Sequence, residues 1–188
     1  VNIGPSPPPP ANDAFAQAAA IPAVPFGDAR FNSTATEDAG ELKTTCSDVE
    51  KTVWYTFTPP ASGVYAIDTA GSEFDTVLTV FTGATLDTLS QIACNDDIGE
   101  GIVQSRVDLS MLAGTVYRIQ AGGFSGWRGG AGADFGRLVL SISVPLPGDS
   151  DGDGCSDAAE MGAAPDLGGD RSPYFYWDFY DVTGNGAV

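Results

Sequence analysis

Residues 149–160 carry oxygen donors at the spacing of a calcium-binding loop. Asp149, Asp151, Asp153 and Asp157 take loop positions 1, 3, 5 and 9, and Cys155 supplies a backbone carbonyl at position 7. Glu160 closes the loop at position 12, and Gly154 provides the sharp turn at position 6. Ca2+ is a hard cation that takes roughly 6–8 oxygens, so five carboxylates and a carbonyl within one loop suit it. The other reading of an Asp-, Gly- and Ser-rich stretch is a solvated linker. A linker has no reason to fill all six ligand positions and the glycine as well. A shorter match follows at 181–188, which fills the first eight loop positions with Asp181, Thr183 and Asn185 at 1, 3 and 5, and lacks positions 9 and 12. A third group comprises Asp75 and the run Asn95-Asp96-Asp97, which one expected hairpin separates. Asp75, Asp96 and Asp97 either converge as ligands for a cation or are turn residues bonded to their own backbone. Ca2+ is the cofactor these patterns call for.

Composition narrows the setting. The chain has 188 residues, 43% of them hydrophobic, a net charge of −17 and no histidine. That is enough apolar material for a core, and the charge opposes binding to nucleic acid or to an anionic membrane surface. No stretch approaches the ~20 apolar residues of a membrane-spanning helix. Beyond Pro145 nine acidic residues face a single base, Arg171, so this tail repels itself unless cations neutralise it. Such a protein is expected outside the cell, where divalent cations are abundant; the start at Val1 with its Pro-rich run reads as processed. Of the three cysteines, Cys46 and Cys94 flank strand candidates and are expected to pair in an oxidising compartment, two buried thiols being the alternative. Cys155 is left over. The sequon Asn32-Ser33-Thr34 is a glycosylation acceptor by pattern.

These residues must be positioned by a framework, and between 52 and 144 the pattern is β. Strands are expected at 52–58, 64–69, 74–81, 91–94, 106–112, 115–121 and 137–144. Val53, Tyr55 and Phe57 share one face. Phe74, Thr76, Leu78 and Val80 oppose Asp75, Val77, Thr79 and Phe81, and Leu138, Leu140, Ile142 and Val144 point inward. Short strands separated by turns, with no long helical period between them, predict an antiparallel, jelly-roll-like β-sandwich. Asn12 or Asp13 is expected to cap a short helix over 14–19, stopped by Pro22. Residues 1–10 form a Pro-rich arm, 11–144 the sandwich, and 145–188 an irregular calcium-binding tail. Trp127 and Arg128, in the Gly-rich stretch 122–132, either pack over the sandwich end or meet a ligand. The aromatic run 174–180 suits an anchor onto the sandwich or a neighbouring molecule.

Several segments occur together in a characteristic order: Ala11-Asn12-Asp13-Ala14-Phe15, Ala35-Thr36-Glu37-Asp38-Ala39-Gly40-Glu41 and Val53-Trp54-Tyr55-Thr56-Phe57. Gly71-Ser72-Glu73-Phe74-Asp75-Thr76-Val77-Leu78, Asn95-Asp96-Asp97 and Ala113-Gly114-Thr115-Val116-Tyr117 continue it. In these, residues 11–144 resemble the bacterial pre-peptidase C-terminal (PPC-type) domains of secreted proteins. The resemblance implies a jelly-roll-like sandwich without catalytic activity, serving as an accessory module outside the cell. The tail resembles thrombospondin type 3 or dockerin-type calcium repeats.

Function follows along two lines. Without histidine the usual serine and cysteine triads are unavailable, and the Gly-rich stretch lacks the ending of a phosphate-binding loop, so no enzyme is expected. The favoured expectation is a secreted structural protein whose copies assemble into a filament or tube through calcium-stabilised contacts. The alternative is an accessory module of a larger secreted hydrolase, binding a polysaccharide or protein ligand.

Overall fold

The computed structural model describes residues 7–99, 101–126 and 133–145. The loop 149–160, the ligand candidates Asp181, Thr183 and Asn185, the aromatic run 174–180, and Trp127 and Arg128 lie outside the described residues. The backbone divides into two units between Ser143 and Val144.

Nine strands are present among the described residues. They are β1 (Ala19–Ile21), β2 (Phe26–Phe31), β3 (Val49–Phe57), β4 (Gly63–Asp68), β5 (Thr76–Thr82), β6 (Ser90–Asn95), β7 (Arg106–Met111), β8 (Tyr117–Phe124) and β9 (Arg137–Ser143). Five form one sheet in the order β1-β3-β8-β5-β6, and four form a second in the order β2-β9-β4-β7. Every pairing is antiparallel except that of β1 with β3. The inner faces meet in one core, where Val53, Tyr55, Phe57, Leu78, Val80 and Ile119 of the first sheet pack with Tyr65, Ile67, Val107, Leu138, Leu140 and Ile142 of the second. The fold is an all-β sandwich, as the alternation of apolar residues predicts.

The larger sheet departs from simple alternation because the outer face of its central strands, β3, β8 and β5, is also largely dry. Trp54 and Phe81, which the period-2 pattern sends outward, are both at 0% exposure. Phe15 covers them: its ring meets Trp54 edge-on at 5.2 Å, Trp54 lies 5.8 Å from Phe81, and the Arg118 guanidinium sits 4.8 Å above the Phe15 ring.

That cover explains why the expected helix over 14–19 does not form. Asn12 donates its amide to the Trp54 carbonyl, and the Trp54 amide donates to the Asn12 carbonyl. The Asp13 carboxylate accepts from the amide and hydroxyl of Thr36. Neither residue caps; a single 3-10 turn at Phe15–Gln17 begins after Ala14 with no side-chain cap, and β1 follows at once. A short Ala-rich helix is marginal alone, and these long-range bonds outweigh its propensity.

Other elements differ as well: β3 begins at Val49 rather than at 52, and β8 spans Tyr117–Phe124 rather than 115–121. β2 escapes the sequence pattern because Gly27, Asp28 and Ala29 lack apolar alternation; register with β9 places it. Asp28 faces inward, accepting from the hydroxyl of buried Tyr55 and from Arg30. β5 starts at Thr76, leaving Phe74 and Asp75 in the preceding connection. Val144 lies beyond β9 and is exposed.

If the N-terminal segment is part of the fold, Phe15→Ala will lower unfolding free energy by about 3 kcal/mol, the range for emptying a buried aromatic site. Urea denaturation measures this; a change below about 0.5 kcal/mol, typical of surface positions, would make 12–18 an appendage.

Candidate metal centre

β5 and β6 are antiparallel neighbours, with Leu78 opposite Asn95 and Thr79 opposite Cys94. The entry to β5 and the exit of β6 therefore lie at the same end of the sheet. Asp75 immediately precedes β5, and Asp96 and Asp97 immediately follow β6. Each of the three offers a carboxylate oxygen, and these oxygens lie within 4.8 Å of one another. Asp75 and Asp96 are half-buried, and Asp97 is exposed.

The surrounding backbone holds this geometry. The Asp75 carbonyl accepts from the Phe124 amide at 2.9 Å, and the Phe124 carbonyl accepts from the Asp134 amide at 3.0 Å. Gly123 permits that approach, because a Cβ there would collide with the Asp134 carbonyl oxygen. Asp134 thus becomes a fourth acid beside the three, which sequence reasoning missed because it follows a Gly-rich stretch with no ligand spacing. On the β6 side, a disulfide joins Cys46 to Cys94 with Cα atoms 6.0 Å apart. It ties segment 44–48 down, bringing the Ser47 side chain to Asp96, while the Asp48 carbonyl accepts from the Ser125 amide. Closing a 48-residue separation restricts the unfolded chain, a stabilisation of about 2–4 kcal/mol.

Electrostatically the cluster is under tension. Burial, then the charges of Asp96, Asp97 and Asp134, push the Asp75 carboxyl up to about 6. The Asp96 carboxyl is also raised, chiefly by burial, with the Ser47 side chain opposing and the Asp97 charge adding. Oδ1 of Asp75 and Oδ1 of Asp96 are shielded from solvent and have no hydrogen-bond partner. A buried carboxylate oxygen without a donor is costly, and a cation among the three acids would satisfy both orphans at once. The donors are all oxygen, which suits Ca2+ and Mg2+ rather than metals that favour imidazole or thiolate. The turn-residue reading of these acids accounts for neither orphan.

The sequon takes a different course. Asn32 is at 0% exposure; its amide nitrogen donates to the Lys51 carbonyl and its oxygen accepts from the Gly136 amide. In the folded protein this side chain is a structural bridge, closed to a glycosylating enzyme.

No protein-family model matches the chain, and no curated protein matches it. Among solved structures it is similar to the pre-peptidase C-terminal domain of collagenase from Bacillus anthracis, at 12% identity and a TM-score of 0.39, over 67% of this chain and 92% of that one. It is also similar to PliG of Aeromonas hydrophila, a periplasmic inhibitor of g-type lysozyme, at 17% identity and a TM-score of 0.36, over 67% of this chain and 94% of that one. No helix among the described residues is long and apolar enough to cross a membrane.

The raised Asp75 carboxyl has a testable sign. Its protonated form is the one the fold favours, so its contribution is complete below the ordinary carboxylate range and is lost as pH rises through about 6. In chelator, Tm will fall between about pH 4 and pH 7. Asp75→Asn will flatten that fall; an unchanged slope in the variant would show that other groups set it.

Proposed function

We propose that this chain is a secreted, non-catalytic, calcium-binding module of the pre-peptidase C-terminal type, with one cation site at the end of its sandwich formed by Asp75, Asp96 and Asp97. The observation that carries this reading is the pair of buried, partnerless oxygens on Asp75 and Asp96, aligned with a third carboxylate. Calcium is favoured over Mg2+ because it accepts irregular coordination and completes its shell with water, whereas Mg2+ demands a near-ideal octahedron. The loop 149–160 adds, on its sequence, a second site of the same chemistry.

A raised carboxyl beside an ionised one also occurs in glycoside hydrolysis. That chemistry needs one acid and one base facing each other across a substrate bond. Here three carboxylates converge with a fourth close by, which favours neutralisation by a cation over division of labour between two acids.

The net charge of −17 speaks to the role. Copies of so acidic a chain repel one another until cations bind, so calcium-held self-assembly into an extracellular filament is the reading we favour. The second reading, carried by the resemblance to PPC-type domains, is an accessory module that binds a polysaccharide or protein beside a secreted hydrolase.

Calorimetric titration with Ca2+ tests the cation reading. Asp75→Asn will remove the sandwich site, and replacing Asp149, Asp151 and Asp153 with alanine will remove the tail site. Uptake unchanged by Asp75→Asn would sink the proposed centre. Light scattering and negative-stain microscopy with calcium and then with chelator separate the roles. Ordered particles that dissolve on chelation support assembly; a monomer in both conditions selects the accessory module.

A further inference from the structure

Three hydroxyls lie beneath the acids in a region where apolar side chains of the same shape would pack. Thr69, Thr76 and Ser105 are each at 0% exposure. Thr69 Oγ1 and Thr76 Oγ1 are 2.6 Å apart, and Thr76 Oγ1 lies 3.0 Å from Ser105 Oγ. Ser105 Oγ reaches the Thr76 carbonyl at 2.6 Å and the Asp96 carbonyl at 2.8 Å. The Ser105 amide donates to Thr69 Oγ1 at 2.8 Å and to Thr76 Oγ1 at 3.1 Å.

Three hydroxyl protons serve these contacts. Thr69 donates to the Ser105 carbonyl, Thr76 donates to Thr69, and the single Ser105 proton is shared between the carbonyls of Thr76 and Asp96. Buried hydroxyls add little to a core unless they must fix something, and a hydrogen-bonded network fixes its members rigidly. What this one fixes is the backbone of Thr76, next to Asp75, and of Asp96 itself. The two acids whose Oδ1 atoms are buried and partnerless are thereby held together against their mutual repulsion.

We propose that Thr69, Thr76 and Ser105 are positioning residues for the cation site, holding Asp75 and Asp96 at ligand spacing from below. This rests on the cation reading given above. Metal sites depend on such outer partners: losing one typically costs 10- to 100-fold in affinity.

The test uses the full-length chain with Asp149→Ala, Asp151→Ala and Asp153→Ala in place, so that the sandwich site is read alone. Thr76→Val removes a hydroxyl at constant shape, Thr76→Ser keeps it, and Ser105→Ala removes the link to Asp96. Calcium affinity comes from calorimetry, coordinated water from the luminescence lifetime of bound Tb3+, and intrinsic stability from Tm in chelator. Thr76→Val and Ser105→Ala are expected to weaken calcium binding roughly 10-fold or more and to shorten the Tb3+ lifetime as water enters, with Thr76→Ser within about threefold of the parent. A lower Tm in chelator with affinity and lifetime unchanged would make the network purely structural and overturn the proposal. If Thr76→Val does not fold, Ser105→Ala carries the same comparison. Failure of the cation reading looks different: the parent itself then takes up no calcium, or Asp75→Asn leaves uptake intact, and both proposals fall.

Discussion

The constraint on which this structure depends is that the central strands of the larger sheet must be covered on both faces. Trp54 and Phe81 point away from the sandwich core, yet neither reaches solvent. A bare outer face carrying those rings would be a large apolar patch, so the chain must supply a cover. It does so twice. The segment around Phe15 seals the aromatic end. Further along, the Glu41 carboxylate accepts from Thr52 and from the Gln120 amide, while Thr45 and Cys46 are tied to Gln91 and Cys94. Burial raises the Glu41 carboxyl, with the bonds from Thr52, Asp38 and Gln120 opposing, so this part of the cover is held by a carboxyl that the fold keeps hydrogen-bonded. β5 and β8, clamped between core and cover, become rigid supports for whatever their ends carry.

What they carry is a set of like charges. Antiparallel pairing of β5 with β6 fixes Asp75 beside Asp96 and Asp97, and the disulfide prevents the β6 side from swinging away. Protonation relieves the repulsion and raises Asp75; a bound cation would fill the same partnerless oxygens. The two would therefore compete for one site, and the hydroxyl network beneath it would oppose the third escape, separation of the strand ends.

The sequence made this architecture legible where burial is one-sided. β7 and β9 alternate cleanly, and their boundaries fall within one residue of the pattern. It was less informative where long-range bonds decide. Asn12 and Asp13 look like helix caps because their side chains accept or donate locally as readily as at distance; only the folded chain brings Trp54 and Thr36 within reach. β2 carries Asp28 inward to Tyr55, so a polar residue occupies a core-facing position and breaks the period. Asp75, Asp96 and Asp97 were visible as acids flanking one hairpin. Asp134 was not, since its approach depends on the missing Cβ of Gly123. Thr69, Thr76 and Ser105 carry no charge or spacing signal at all.

Asn32 shows how much of a side chain's role a sequence pattern leaves open. Its sequon is complete, yet both atoms of its amide are consumed in joining the Lys51 bulge to Gly136. Lys51 sits at φ 54, a conformation uncommon for a side-chain-bearing residue, and the Asn32 bond to its carbonyl together with its own ammonium bond to the Ala35 carbonyl holds it there. The register of β3 on β8 shifts at this bulge, between Glu50 and Val53. That shift delivers Val53 to the core and Trp54 to the covered face. A polar side chain chosen for its two hydrogen bonds thus sets the packing of the sheet that supports the acidic site.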